Sequence, residues 1–272
     1  MIALLGATGT IGQHVAVGLA ERGAPARALT RDPARPRLPL PAVAGDLRDP
    51  ASLRDALTGA EQLFLLTPHH PDQDLLEANA VDAAKAAGVK RIVKISGGAP
   101  ALGPNGVSPA TVAHWRSERR IEDSGLRFCF LRPSFLMQNL LTMTPKAGLL
   151  LAPMGDAPIA MIDARDVADC AVALLLDTPA ADTAWQLTGP APVTFKDAAA
   201  RLGARYLNVP PRMAALALRR QGASPFEVEH ALRMAAYFAS GADGAPTDAV
   251  RRITGRPPRT LDEFLQATTK GH

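Results

Sequence analysis

The sequence predicts an α/β fold, a doubly wound parallel sheet followed by a smaller, mostly helical C-terminal lobe. Three observations carry this expectation. A glycine string, Gly6-Ala7-Thr8-Gly9-Thr10-Ile11-Gly12, joins a short apolar run to a segment with helical spacing of apolar residues. Short apolar runs then alternate with helical patterns up to about residue 135, the rhythm of a parallel sheet covered on both faces. From about Asp163 the rhythm changes, and after Val209 helices dominate, with breaks at Pro210-Pro211, Gly222, Gly241–Gly244 and Pro257-Pro258.

The apolar runs place strands at residues 2–5, 26–29, 42–44, 62–66, 91–95 and 127–131, with helices at 11–22, 51–57, 75–87 and 111–124. Right-handed crossovers between such strands give the doubly wound topology. Gly23, Gly88 and Gly125 stand where helix-ending glycines belong, and Asp49-Pro50 and Asp72 supply helix starts. A further helix spans 163–176, beginning near the acidic pair Asp163 and Asp166, and Trp185-Gln186-Leu187 reads as a strand. The expected division is a first domain over residues 1–160, to which later segments return, and a lobe over 161–272. That lobe is expected to cap the first domain and supply a pocket wall.

Composition narrows the function. The chain of 272 residues is 47% hydrophobic, in the range of a globular protein with a substantial core. Cys129 and Cys170 lie far apart in apolar surroundings and read as small buried hydrophobes, so neither a disulfide framework nor a metal site is expected. The net charge of +4 comes from arginines scattered over several segments with few aromatics among them, which argues against nucleic acid as a partner. The N-terminus lacks the charged start of a signal peptide, and no apolar stretch reaches membrane-spanning length. A cytoplasmic protein acting on a small molecule is expected, with no membrane partner. Oligomeric state is left open.

A strand, a glycine turn and a helix in that order build a diphosphate site. Gly6 and Gly9 let the backbone approach the anion, and Thr8, Thr10 and Ile11 bring it to the helix N-terminus, where unpaired N–H groups face it. In such a unit the end of the second strand lies beside the adenosine ribose, where a carboxylate selects NAD(H) by binding the 2′-hydroxyl. Here Thr30-Arg31-Asp32-Pro33 stands at that end, with Arg35 nearby. A guanidinium fits a 2′-phosphate, so NADP(H) is expected in preference to NAD(H). Asp46 and Leu47 follow the third strand, where an acid and an apolar residue hold adenine. Leu66-Thr67-Pro68 closes the fourth strand at the topological switch point, and Ser96 closes the fifth near the expected nicotinamide. Leu131-Arg132-Pro133 closes the sixth, and Pro133 is counted with the cofactor contacts.

At these residues the chain resembles the NmrA-like group of atypical short-chain dehydrogenases/reductases, with a Rossmann fold. The likeness rests on the Gly6–Gly12 turn, Thr30-Arg31-Asp32-Pro33, Gly45-Asp46-Leu47, the helix through His114 into Ser124-Gly125-Leu126, and Leu131-Arg132-Pro133 with Asn139. The tail Thr254-Gly255-Arg256-Pro257-Pro258 also looks like that group's C-terminal signature. The resemblance implies an NADPH-dependent reductase, since such chains include quinone reductases and reductases of natural-product pathways. It also carries the alternative of a non-catalytic redox sensor acting through a protein partner. An isomerase or epimerase that keeps its cofactor is a third, weaker implication.

The wider superfamily uses a tyrosine and, four residues later, a lysine to move the proton that accompanies hydride. Here His114 stands in the tyrosine's place and Glu118 in the lysine's. His114 is therefore the candidate catalytic residue, with Glu118 one helical turn away to orient it. The expected acceptor is a quinone, enone, imine, iminium or carbonyl, and reduction of an iminium or a quinone needs little more than its positioning. His69-His70 forms a second candidate pair. Apolar residues after the sixth strand, among them Phe135, Met137, Leu140, Met154 and Met161, suggest a hydrophobic substrate pocket.

Overall fold

The computed structural model describes residues 1–34, 38–143, 148–177 and 182–269. Among the described residues there are nine strands: β1 Ile2–Leu5, β2 Ala26–Thr30, β3 Ala42–Ala44, β4 Gln62–Leu65, β5 Arg91–Ile95, β6 Arg127–Pro133, β7 Leu149–Ala152, β8 Thr183–Leu187 and β9 Arg205–Asn208. The helices among them are α1 Gly12–Glu21, α2 Pro50–Leu57, α3 Gln73–Ala86, α4 Pro109–Asp123, α5 Gln138–Met143 and α6 Ala164–Leu176. After β8 come α7 Phe195–Arg201, α8 Pro211–Arg220, α9 Pro225–Ala239, α10 Ala249–Thr254 and α11 Leu261–Thr269.

Seven strands form one sheet in the order β3-β2-β1-β4-β5-β6-β8, with parallel pairing from β3 through β6. Strands buried on both faces need continuous apolar runs, which is what β1 and β4 supply. Leu5, Leu29, Leu63, Leu65 and Ile92 pack with Leu53 of α2, Val81 of α3 and Ile121 of α4 in one core. Close approach of α1 and α6 rests on Gly18, where a β carbon would lie 3.0 Å from Val172 Cγ2. The sequence placed Trp185-Gln186-Leu187 in a strand, and the structure makes that strand the sheet's seventh member.

The chain separates into two units. The first comprises Met1–Gly97, Ala113–Arg132 and Val167–Trp185, and the second Gly98–Val112, Pro133–Asp166 and Gln186–His272. Val167–Trp185 is a later segment that rejoins the first unit, and Gly98–Val112 is an early one that belongs to the second. The second unit carries its own core, in which Phe135 meets Phe195 and Phe238 edge-on at ring distances of 5.5 and 5.4 Å. Phe135, Met137, Leu140, Met154 and Met161, read from sequence as pocket candidates, are buried members of that core. β7 and β9 add a two-stranded parallel sheet that the sequence reading did not contain.

The acidic pair at the start of α6 has a structural post. Asp163 takes the guanidinium and backbone N–H of Arg165 and the Gln138 amide. Burial raises its pKa, but these donors outweigh that and hold it below the usual range. Asp166 Oδ2 accepts the Arg259 backbone N–H at 2.7 Å, and Oδ1 pairs with the guanidinium groups of Arg259 at 2.5 Å and Arg256 at 3.2 Å. This clamp fixes the Arg256–Arg259 stretch between α10, which ends at Gly255 with φ 77°, and α11, whose start Thr260 and Glu263 cap reciprocally. Replacing Asp166 by Ala removes the acceptor from a main-chain amide and two guanidinium groups. Because the arginines are part-exposed, the expected loss is about 2–3 kcal/mol, below that of a fully buried pair. A shift of the urea midpoint at constant m-value measures it, and an unshifted midpoint contradicts the clamp.

Candidate cofactor site

In a parallel sheet all C-terminal strand ends lie along one edge. The register sets Leu5 opposite Leu29 and Leu65, Thr30 opposite Ala44, and Leu65 opposite Lys94. Gly6, Arg31, Asp46, Leu66-Thr67 and Ser96 thus leave the sheet from neighbouring strands at about one level. That edge, at the β1/β4 switch point, is where ligands of this architecture bind.

The β1–α1 turn is forced by packing. Gly6 has φ 84°, and a β carbon there would lie 2.2 Å from Leu66 O. A β carbon on Gly12 would lie 2.0 Å from Gly6 O. Between them Thr8, Gly9 and Thr10 are exposed, and Gly9 donates its N–H to Gly6 O at 3.1 Å. Helix α1 follows Ile11, which provides no side-chain cap, and has no acid in its first turn. An uncapped, exposed helix start with a bare glycine backbone before it suits a diphosphate.

Arg31 is exposed and enters no ion pair among the described residues. Asp32, the acid beside it, has one carboxylate oxygen engaged by the Ala34 N–H at 3.1 Å, a local turn. Arg35 lies outside the described residues. Asp46 accepts the Arg48 N–H at 2.9 Å and donates its own N–H to Ser52 Oγ, while Leu47 packs against the first core. Ser96 is 4% exposed, and its hydroxyl has no hydrogen-bond partner among the described residues. An orphaned buried hydroxyl at a strand end fits an incoming cofactor. Pro68 is exposed, and Pro133 ends β6 and belongs to the second unit.

Behind the fourth and fifth strand ends lies a buried polar cluster. Lys94 and Glu77 are both fully buried, with Nζ 2.5 Å from Oε2. Thr67 donates its hydroxyl to Glu77 Oε1, and Gln73 Nε2 donates to the same oxygen at 3.2 Å. Lys94 Nζ also lies 3.3 Å from His114 Nδ1, and Gln73 Nε2 lies 3.1 Å from that nitrogen. An ammonium offers only donors, so Nδ1 accepts and the ring proton sits on Nε2. His114 is therefore a buried member of an ion-pair cluster. Glu118, expected to orient His114, gives its carboxylate to Arg132 as a two-pronged pair at 2.9 and 2.5 Å.

The two loop histidines also divide. His70 Nδ1 accepts the Asp72 N–H at 3.0 Å, at the start of α3. His69 meets the His114 ring edge-on at 5.5 Å. It keeps open surface, yet protein crowds its other sides. That crowding and then the Lys94 charge lower its pKa, against the opposing pull of Glu77. Among the described residues no three His, Cys, Asp or Glu side chains gather as a metal site. Lys94 and Glu77 were absent from the sequence reading. The available signal was a lysine inside the apolar strand Arg91–Ile95, a charge that burial forces to find a partner.

Comparison with known proteins places this arrangement. The NmrA-like family matches residues 1–194. The chain belongs to the NmrA-like family. This NmrA-like chain is 35% identical to the NAD(P)H azoreductase of Xenophilus azovorans, over 98% of its length and 97% of the relative's. It is 36% identical to the (4-alkanoyl-5-oxo-2,5-dihydrofuran-3-yl)methyl phosphate reductase of Streptomyces griseus, covering 97% and 96% of the two chains. Its fold matches that of the Escherichia coli NADPH-dependent quinone oxidoreductase complexed with NADPH. The TM-score is 0.88 at 26% identity, covering 99% of this chain and 100% of that one. No helix among the described residues is long and apolar enough to cross a membrane.

Proposed function

We propose that this chain is an NADPH-dependent reductase that delivers hydride to a small, largely apolar, electron-poor acceptor: a quinone, enone, imine or carbonyl. The observation that carries the reading is the β1–α1 turn, where Gly6 and Gly12 leave no room for side chains and an uncapped helix start is open to an anion. The relatives support the chemistry. An azo compound, a dihydrofuranone and a quinone, the acceptors in their names, share an electron-poor double bond.

When bound, NADPH supplies a hydride equivalent. Gly6, Thr8, Gly9, Thr10 and Ile11 hold its diphosphate, and Arg31 its 2′-phosphate. Asp46 and Leu47 flank the adenine. Leu66, Thr67, Pro68 and Ser96 bound the remainder. The Thr67 hydroxyl serves Glu77, so Thr67 offers its backbone. His114 is not assigned the proton, because its ring is packed into the buried Lys94–Glu77 cluster, with Nδ1 against Lys94 and Gln73.

Calorimetric titration with NADPH, NADP⁺, NADH and NAD⁺ tests the reading, followed by NADPH oxidation with quinones and azo compounds. NADPH is expected to bind more tightly than NADH. Arg31→Ala is expected to weaken NADPH by roughly 10–100-fold, the range of a charge-assisted hydrogen bond, while NADH changes little. Equal losses for both cofactors remove Arg31 from the phosphate. Absence of dinucleotide binding overturns the function.

A further inference from the structure

One peptide joins the glycine turn to the buried polar cluster. The β carbon that Gly6 lacks would lie 2.2 Å from Leu66 O and 3.0 Å from Leu66 C, so the Leu66 carbonyl sits against the Gly6 main chain. The Leu66 carbonyl and the Thr67 nitrogen belong to one rigid peptide plane. Whatever fixes Thr67 therefore fixes the group that closes on Gly6.

Main-chain bonding gives that peptide little hold. The Leu66 N–H reaches Leu5 O at 3.3 Å, just beyond the usual range of such bonds. Pro68 and Pro71 follow, and neither has an amide hydrogen to give. The Thr67 side chain supplies the hold instead. Thr67 is buried, and its hydroxyl donates to Glu77 Oε1 on α3. The other Glu77 oxygen takes Lys94 Nζ of β5 at 2.5 Å, and the same ammonium donates to Ile95 O at 3.3 Å. A bond from a hydroxyl to a carboxylate is shorter and stronger than one between neutral groups. A buried ion pair is seldom the most stable filling for its space, since an apolar pair of similar volume serves stability as well or better. What an apolar pair does not offer is a fixed, directional acceptor for Thr67.

We propose that Glu77 and Lys94 are positioning residues for the dinucleotide. Through the Thr67 hydroxyl they hold the Leu66–Thr67 peptide on Gly6 and so set the turn that receives the diphosphate. This rests on the reductase reading, in which that turn holds the diphosphate. Gly6, Leu66, Thr67, Glu77 and Lys94 all belong to the first unit.

The experiment titrates the full chain calorimetrically with NADPH, NADH and adenosine 2′-monophosphate. The last carries the 2′-phosphate and no diphosphate. Thr67→Val keeps the side chain's shape and removes its donor. It is expected to weaken NADPH and NADH by the same factor, roughly 5–30-fold, the range of one hydrogen bond. Adenosine 2′-monophosphate is expected to bind as before. Arg31→Ala gives the opposite pattern, sparing NADH. Thr67→Ser restores the donor and is expected to restore both dinucleotides.

A paired variant separates position from stability. Lys94→Met with Glu77→Leu is expected to recover most of the stability that either change alone removes, yet to bind NADPH as weakly as Thr67→Val. Adding Thr67→Val to that pair is expected to bring no further loss, because both changes cut one chain of contacts. Asp166→Ala, which loosens the second unit, is expected to keep its NADPH affinity. Wild-type affinity in Thr67→Val or in the paired variant overturns the proposal and leaves the reductase reading intact. Fully additive losses overturn it too. So does an equal loss for adenosine 2′-monophosphate or in Asp166→Ala, which is general loosening. Failure of the wild type to bind any dinucleotide overturns the reductase reading, and this proposal with it. If the paired variant does not fold, the Thr67→Val and Thr67→Ser titrations decide.

Discussion

Lys94→Met will lower the unfolding free energy by about 3–5 kcal/mol, the range seen when one partner of a buried ion pair is removed. The ammonium lies 2.5 Å from Glu77 in the middle of the sheet, and neither side chain is reached by water. Without it, Glu77 keeps only the Thr67 hydroxyl and the Gln73 amide, neither of which supplies a charge. Adding Glu77→Leu to Lys94→Met is expected to recover most of the loss, because an apolar pair needs no desolvated charge. Urea unfolding of the two single variants and the double gives the coupling. A double variant as unstable as the sum of its parts would show that shape, not charge, holds the cluster.

Gly12→Ala is the second large effect. Its new methyl would lie 2.0 Å from Gly6 O and 2.9 Å from Ala7 Cα, main-chain atoms that cannot rotate aside. The turn must open, and NADPH affinity is expected to fall by about 100-fold or more, some 2.7 kcal/mol. Gly9→Ala provides the contrast. Its methyl would meet Gly6 O at 3.5 Å, an ordinary contact. Its melting temperature should therefore hold while NADPH affinity still falls, because the methyl projects where the backbone is exposed. If Gly9→Ala leaves the affinity unchanged, the diphosphate does not approach that backbone.

Much of the first unit was legible in the sequence because its signals are local. Parallel strands buried on both faces must be apolar runs, and left-handed helix ends select glycine at Gly23, Gly88 and Gly125. Asp49 caps α2 through the Ala51 and Ser52 amides as its Asp-Pro step announced. The glycine turn was legible for the same reason, since its geometry depends on contacts within a few residues and on the neighbouring strand. What escaped depends on distant partners. Glu77 and Lys94 are 17 positions apart. Nothing within either segment identifies the partner. His114 shows the limit from the other side: helical spacing put Glu118 beside it, but Arg132, from the next strand, took that carboxylate.

The interleaving of the two units bears on how the chain is made. It leaves the first unit after Gly97, Arg132 and Trp185, and the second after Val112 and Asp166. The ribosome therefore delivers neither unit as one uninterrupted stretch. Strand β6 is complete at Pro133, but its outer neighbour β8 ends only at Leu187. At typical elongation speeds that gap lasts roughly 3–10 s, during which the nascent sheet presents an unpaired edge. Translation through this stretch is the period when the growing chain most needs a chaperone, and a product truncated before Thr183 would retain that open edge.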